Sequence, residues 1–246
     1  MATQVTQTAP GIACWSCGQT ASQHFCAACG KIQPVQNVDY FAIFGLPRKL
    51  HIDMAALERE FYRLSRKLHP DLFARATARE QEWSTGKTSQ LNDAYRALKD
   101  PIARTTYLLE LEGVKLEEQS RNATDSARLS GAEKKQVVPP DLLEEVFELN
   151  MQLEEMRMNK QMGEDDPNIT RDLQAAKQKF EQKMNDLTSE LQRNWNEWDA
   201  LIPRGEAAPQ DRQSRVRVRD QMVDLLNRRS YIRNLLRDVN EALTSN

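Results

Sequence analysis

From Met54 to Leu68 the apolar residues recur with the period of a helix. Leu57, Phe61, Leu64 and Leu68 fall at i, i+4, i+7 and i+11, while Arg59, Arg63, Arg66 and Lys67 lie nearly opposite. This spacing predicts a helix with one packing face and one basic face. Pro70 pushes the residue before it out of the helical region, so the helix stops there and His69-Pro70-Asp71 forms a tight loop beside the basic stripe. Such a loop is a docking surface for an acidic partner. A short aromatic helix is predicted ahead of it, over Asp39-Tyr40-Phe41-Ala42-Ile43-Phe44-Gly45-Leu46-Pro47. A third helix behind it carries Leu91, Ala94, Tyr95 and Leu98 on one face. Together these make an antiparallel helical hairpin with the tripeptide at its tip and a small helix closing its base.

Periodicity lapses between Glu117 and Val138, where the chain is polar, and resumes after Pro139, with Pro140 and Asp141 at the first positions of a new helix. Three long helical patterns follow, over 140–162, 169–201 and 210–244. Gly163-Glu164-Asp165-Asp166-Pro167-Asn168 and Pro203-Arg204-Gly205 separate them, short breaks that suit antiparallel neighbours in a bundle. The first of these helices carries two apolar stripes: Leu142, Val146, Leu149, Leu153 and Met156, then Leu143, Phe147, Met151 and Met158 rotated away from it. Two readings follow from the pattern. Either both stripes are core, because a helix in a three-helix bundle touches two neighbours, or the second stripe faces a partner. In the last helix Val218, Leu225, Ile232, Leu236, Val239 and Leu243 make the seam, and Tyr231 is expected off it, beside the Met- and Phe-bearing stripe.

All four cysteines lie near the start, as Cys14-Trp15-Ser16-Cys17-Gly18 and Cys26-Ala27-Ala28-Cys29-Gly30. Two Cys-x-x-Cys-Gly turns bring four thiolates to one tetrahedral ion, with glycine accepting the backbone geometry that points amide groups at the sulfurs. Zinc is the expected metal and iron the alternative, since thiolate softness admits both. A pair of disulfides and a thioredoxin-type redox pair are the competing readings, disfavoured by the absence of secretory features and of a strand–helix context. His24 is a spare candidate ligand. A segment this short builds no core of its own, so the metal supplies its folding energy.

Composition adds limits. Charged residues make up 28% and hydrophobic ones 39%, with only nine glycines, a helical balance. Thirty-four basic against thirty-six acidic residues give a net charge of −2, which argues against a nucleic-acid-coating protein. No apolar run approaches the eighteen or so residues of a membrane span. Met1 to Pro10 has neither signal-peptide nor transit-peptide character, so a cytoplasmic location is expected, or the mitochondrial matrix for a processed form. Only His24, His51 and His69 could serve as imidazole bases, the cysteines are committed to metal, and no Gly-rich phosphate loop exists. The chain therefore reads as a non-enzyme. An all-α architecture is expected: a metal-binding segment over 1–33, the hairpin over 38–113, a polar linker over 114–138 and a three-helix domain over 139–246.

The hairpin with His69-Pro70-Asp71 resembles a J domain, the module that stimulates ATP hydrolysis by DnaK-type chaperones. The match narrows through Asp39-Tyr40-Phe41, Gly45-Leu46, Asn92-Asp93-Ala94-Tyr95, Leu98, Pro101, Arg104, Tyr107-Leu108-Leu109 and Gly113, a pattern similar to the HscB family, the co-chaperones of iron–sulfur cluster assembly. The resemblance covers residues 38–246. It implies a DnaK/HscA-type chaperone contacted through His69, Pro70, Asp71, Arg59, Arg63, Arg66 and Lys67. It also implies an IscU-type iron–sulfur scaffold protein held by the C-terminal domain, at positions matching Leu143, Phe147 and Tyr231 with Glu148 and Met151 nearby. Some members, chiefly eukaryotic, resemble this chain in carrying a tetracysteine segment. Two departures stand out: Leu72 occupies a position often held by lysine, which softens the basic patch at its tip, and the stretch after Gly113 is longer than in compact bacterial members. The rival reading is a general J-domain co-chaperone for unfolded clients. That would call for a Gly/Phe-rich region or a β-rich client domain, and neither is present in the sequence.

Overall fold

The structure, a computed structural model, describes residues 12–114, 116, 139–163, 166–202 and 209–244. Met1 to Pro10, nearly all of the expected polar linker and the break at Pro203-Arg204-Gly205 lie outside the described residues. The chain divides into two compact units, one ending at Glu112 and the other beginning at Gly113.

The first unit opens with two short strands, β1 (Ile12–Ala13) and β2 (Thr20–Ala21), paired antiparallel with Ile12 opposite Ala21. Its helices then start where side-chain oxygens cap free amides. Asp39 accepts from the Ala42 N–H ahead of α1 (Tyr40–Ile43), and Asp53 from the Ala56 N–H ahead of α2 (Met54–Leu68), both at 2.9 Å. Thr77 and Glu80 form a reciprocal capping box for α3 (Ala78–Lys99). Asp100 caps α4 (Pro101–Leu111), whose first position is a proline. The apolar pattern did not announce α4. Its Arg104 reaches back 2.5 Å to the Leu98 carbonyl, one of the free acceptors at the end of α3.

α2 and α3 form the expected hairpin. Leu57, Leu64 and Leu68 on one helix and Leu91, Ala94 and Leu98 on the other are all nearly inaccessible, and Phe61 stacks on Tyr95 with ring centroids 4.1 Å apart. A one-turn 3₁₀ segment, Pro70–Phe73, joins the two.

The second unit is a bundle of α5 (Leu143–Met162), α6 (Pro167–Ala200) and α7 (Pro209–Thr244), entered through a 3₁₀ turn at Pro140–Leu142. Gly163, at φ 75°, ends α5 in the left-handed conformation that relieves its last carbonyls. The core joins Leu142, Val146, Leu149, Leu153 and Met156 to Ile169, Leu173 and Phe180 of α6 and to Ile232, Leu235 and Val239 of α7. Tyr231 belongs to this core at 5% exposure, which corrects the expectation that it lies off the seam. The last helix packs on both α5 and α6, so residues flanking a single seam are buried as well. The fold is thus all-α, a helical hairpin and a three-helix bundle preceded by a small cysteine-bearing segment.

Candidate functional site

Three places carry the candidate chemistry. At the first, α2 ends because Pro70 cannot continue it, and His69 adopts φ −58° and ψ 129°. The His69 Nδ1 accepts the Asp71 backbone N–H at 3.3 Å and lies 3.4 Å from the Asp71 carboxylate. Both side chains stay exposed, at 54% and 89%. The Leu68 carbonyl, which has lost its helical partner, accepts instead from two hydroxyls of α3: Ser84 Oγ at 2.6 Å and Thr88 Oγ1 at 3.0 Å. The turn is therefore anchored from behind while its chemistry faces solvent.

The basic stripe beside it is uneven. Arg59, Arg63, Arg66 and Lys67 are all exposed, but Arg63 makes a forked pair with Glu60, its Nε 2.6 Å from one carboxylate oxygen. Glu60 raises the Arg63 pKa and offsets its charge. Among the described residues Arg59, Arg66 and Lys67 have no such carboxylate. Leu72 is 67% exposed.

The second place is the outer face of α5. Leu143, Phe147, Met151 and Met158 are 53–68% exposed, and Met162 continues them at 67%. The expected second stripe is thus a surface, not core, and Glu148 lies beside it, also exposed. Glu145 turns α5 this way, bridging Lys179 at 3.0 Å and Lys183 at 2.9 Å on α6, and Asp141 pairs with Arg228 of α7 at 2.6 Å. Tyr231 is not brought to this face.

The third place is the cysteine cluster. Its four sulfurs lie within 4.8 Å of one another, with Cys14 and Cys29 3.6 Å apart and Cys17 and Cys26 3.7 Å apart. Four thiolates at about 2.3 Å from one ion would sit about 3.8 Å from each other, so the set fits a tetrahedral centre. Gly18 and Gly30, at φ 72° and 70°, close the two turns, each donating its N–H to the carbonyl of the first cysteine of its pair at 2.9 Å. The Ser16 amide and the Gln33 side chain both donate to Cys14 Sγ at 3.4 Å. Burial raises the Cys14 pKa, but donors from Cys17, Ser16 and Gln33 outweigh it and draw the thiol down to about 6. His24 is not among the ligands: its Nε2 lies 3.1 Å from the Ile43 carbonyl at the end of α1.

Sequence reasoning missed Ser84, Thr88 and Met162. A signal for the first existed, because the face of α3 that carries Leu98, Ala94 and Leu91 runs back one helical turn at a time through Lys87, Ser84 and Glu80. Polar residues at core-facing positions imply polar partners.

Comparison with known proteins bears on these places. A DnaJ domain matches residues 39–107. The iron–sulfur cluster co-chaperone protein HscB homolog of Arabidopsis thaliana is 34% identical over 146 residues, 59% of this chain and 52% of that protein. Iron–sulfur cluster co-chaperone protein HscB of Mus musculus is 28% identical over 178 residues, 70% and 68% of the two chains. The chain carries a DnaJ domain and is similar to HscB co-chaperones. It spans about half the length of the Arabidopsis relative and about two thirds of the mouse one. The crystal structure of human co-chaperone protein HscB covers 96% of this chain and is itself covered fully, with a TM-score of 0.57 at 20% identity, a likeness of fold. No helix among the described residues is long and apolar enough to cross a membrane.

Proposed function

We propose that this chain is an HscB-type co-chaperone adaptor. Its J domain engages a DnaK/HscA-type ATPase through His69, Pro70 and Asp71 with Arg59, Arg66 and Lys67, and stimulates ATP hydrolysis. The outer face of α5, with Leu143, Phe147, Glu148 and Met151, holds an IscU-type scaffold protein. Joining both on one chain makes delivery of the scaffold to the chaperone an effectively intramolecular event. Cys14, Cys17, Cys26 and Cys29 would hold zinc, which would serve there as a structural centre and supply the folding energy of the segment.

One observation carries the reading: a His-Pro-Asp turn pinned through the Leu68 carbonyl yet leaving His69 and Asp71 in solvent. Side chains fixed at their base and spared from the core serve recognition, not folding. The test is single-turnover ATP hydrolysis by a DnaK-type chaperone. The parent chain should accelerate it and His69→Gln should not, with helical circular dichroism unchanged. A His69→Gln protein as active as the parent would refute the reading.

A further inference from the structure

The first half of α3 is docked without one fully buried apolar side chain. Between Ala78 and Lys87 the buried residues are Glu80, Ser84 and Lys87, whereas the second half buries Leu91, Ala94 and Leu98 completely. The second half is held by the hydrophobic core of the hairpin. The first half is held by polar contacts, with the turn on one side, where Gln81 also donates to the Ala74 and Ala76 carbonyls, and with the cysteine segment on the other. Lys31, two residues past Cys29, meets Glu80 at 2.8 Å. Lys87 Nζ donates to the Gln23 carbonyl at 2.9 Å. Trp15, next to Cys14, sets its ring edge-on to Trp83 with centroids 5.3 Å apart, and is itself fixed by a 2.7 Å hydrogen bond to the Ile32 carbonyl. Val35 packs so closely on Gly86 that a Cβ there would lie 2.9 Å from its Cγ2.

The same half of α3 supplies the support for the His-Pro-Asp turn. Ser84 follows Trp83 directly and lies one turn beyond Glu80, and Thr88 follows Lys87; both hydroxyls end on the Leu68 carbonyl. A continuous set of contacts thus runs from the residues flanking the thiolates, through Glu80 and Trp83, to the backbone of the residue before His69.

We propose that Ser84 and Thr88 are positioning residues for the His69-Pro70-Asp71 turn, and that the metal-holding segment sets their position by clamping the first half of α3 at Glu80, Trp83 and Lys87. With the metal bound the segment is folded and α3 is held along its whole length. Without it a segment lacking a core loses its fold, the buried Glu80 loses Lys31 and keeps only Thr77, Lys87 loses the Gln23 carbonyl, and the first half of α3 is held less firmly than the second. The hydroxyl donors of the Leu68 carbonyl are then less firmly placed. The link to chaperone stimulation rests on the function proposed above; the link from metal to turn does not.

Hydrogen exchange on the full chain tests this, comparing zinc-loaded protein with protein stripped by a chelator under reducing conditions. Stripping should speed exchange about tenfold at amides 80–88 and at Leu72 and Ala74 of the turn, roughly the effect of one lost net hydrogen bond. Amides 91–98 and α5 to α7 should keep their protection, and added zinc should reverse the change. Ser84→Ala with Thr88→Val should speed the turn amides alone, with zinc content unchanged, whereas Thr88→Ser by itself should not. Trp15→Ala with Lys31→Ala, which spares all four thiolates, should reproduce the effect of stripping. Turn amides that ignore both metal removal and the hydroxyl substitutions would overturn the proposal, as would loss of protection spreading equally through 91–98. If His69→Gln proves fully active while the turn still answers to zinc, the functional reading fails and this one stands.

Discussion

The Glu80 carboxylate and the Lys31 ammonium meet at 2.8 Å across 49 residues of chain, joining the N-terminus of α3 to the cysteine segment. The Lys31 ammonium, with the Thr77 hydroxyl and amide, holds the Glu80 carboxyl down at about 2 in spite of burial. A carboxyl with a lower pKa in the folded than in the unfolded chain gives stability that is complete above its ordinary value of 4.5 and fades as pH falls toward 2. Glu80→Gln should therefore be less stable than the parent at neutral pH, and the gap should close between pH 4.5 and 2. Urea unfolding of both proteins at several pH values measures it. Thiolate protonation affects both alike, so the difference is the quantity to follow; an equal gap at pH 3 and pH 7 would mean that Glu80 is not the ionised partner.

Substitutions in the bundle should separate surface from core. Phe147→Ala with Met151→Ala removes side chains 68% and 59% exposed, so stability should change by no more than about 0.5 kcal/mol while binding of the scaffold protein is lost. Tyr231→Ala truncates a core ring and should cost about 3 kcal/mol or more. Thermal melts and a pull-down with an IscU-type protein distinguish them. A Phe147 and Met151 variant that binds normally places the partner face elsewhere.

The difference between these two sites shows what the sequence could carry. Along α5, period alone separated the Val146 and Leu149 stripe from the Phe147 and Met151 stripe, because a twenty-residue helix keeps a steady register, but it left open whether the second stripe was core or surface, since a helix in a three-helix bundle has two neighbours to cover. Tyr231 defeated the same argument: a seam drawn as a line through Ile232 and Val239 leaves no room for the second neighbour, which α7 also has to cover. The His-Pro-Asp turn and the two Cys-x-x-Cys-Gly units were legible because proline, glycine and thiols each impose geometry locally. The supports of the turn were not, since Ser84 and Leu68 are sixteen residues apart and their bond exists only once α2 and α3 have packed. Nor could spacing show the Glu60 fork that offsets Arg63, as an acidic residue three positions away serves equally well as a bystander.

Protein purified without chelator should contain about one equivalent of zinc, bound by the four thiolates. Cys26→Ser replaces one of the two buried ligands and should abolish stoichiometric binding. Cobalt substitution gives the check: four thiolates yield intense sulfur-to-metal charge-transfer absorption, which the variant should lose. The bundle belongs to a separate compact unit and should melt as in the parent. Less than about half an equivalent of metal in the parent, by elemental analysis, would count against the site.

Unequal pairing along α2 makes the last prediction. Arg63 is already neutralised in part by its fork with Glu60, while Arg66 and Lys67, closest in sequence to the turn, have no carboxylate of that kind among the described residues. Arg66→Ala with Lys67→Ala should weaken stimulation of the chaperone ATPase well beyond the effect of Arg63→Ala. All three side chains are exposed, so neither variant should shift stability by more than about 0.5 kcal/mol. Exposed charges are screened over roughly 8 Å at physiological ionic strength, and added salt should carry the parent toward the behaviour of the double variant while leaving that variant little changed. The measurement is a salt titration of single-turnover hydrolysis for the three proteins. An Arg63→Ala variant as impaired and as salt-sensitive as the double variant would show that the Glu60 fork opens when the chaperone binds, and that the whole stripe, not its end, makes the contact.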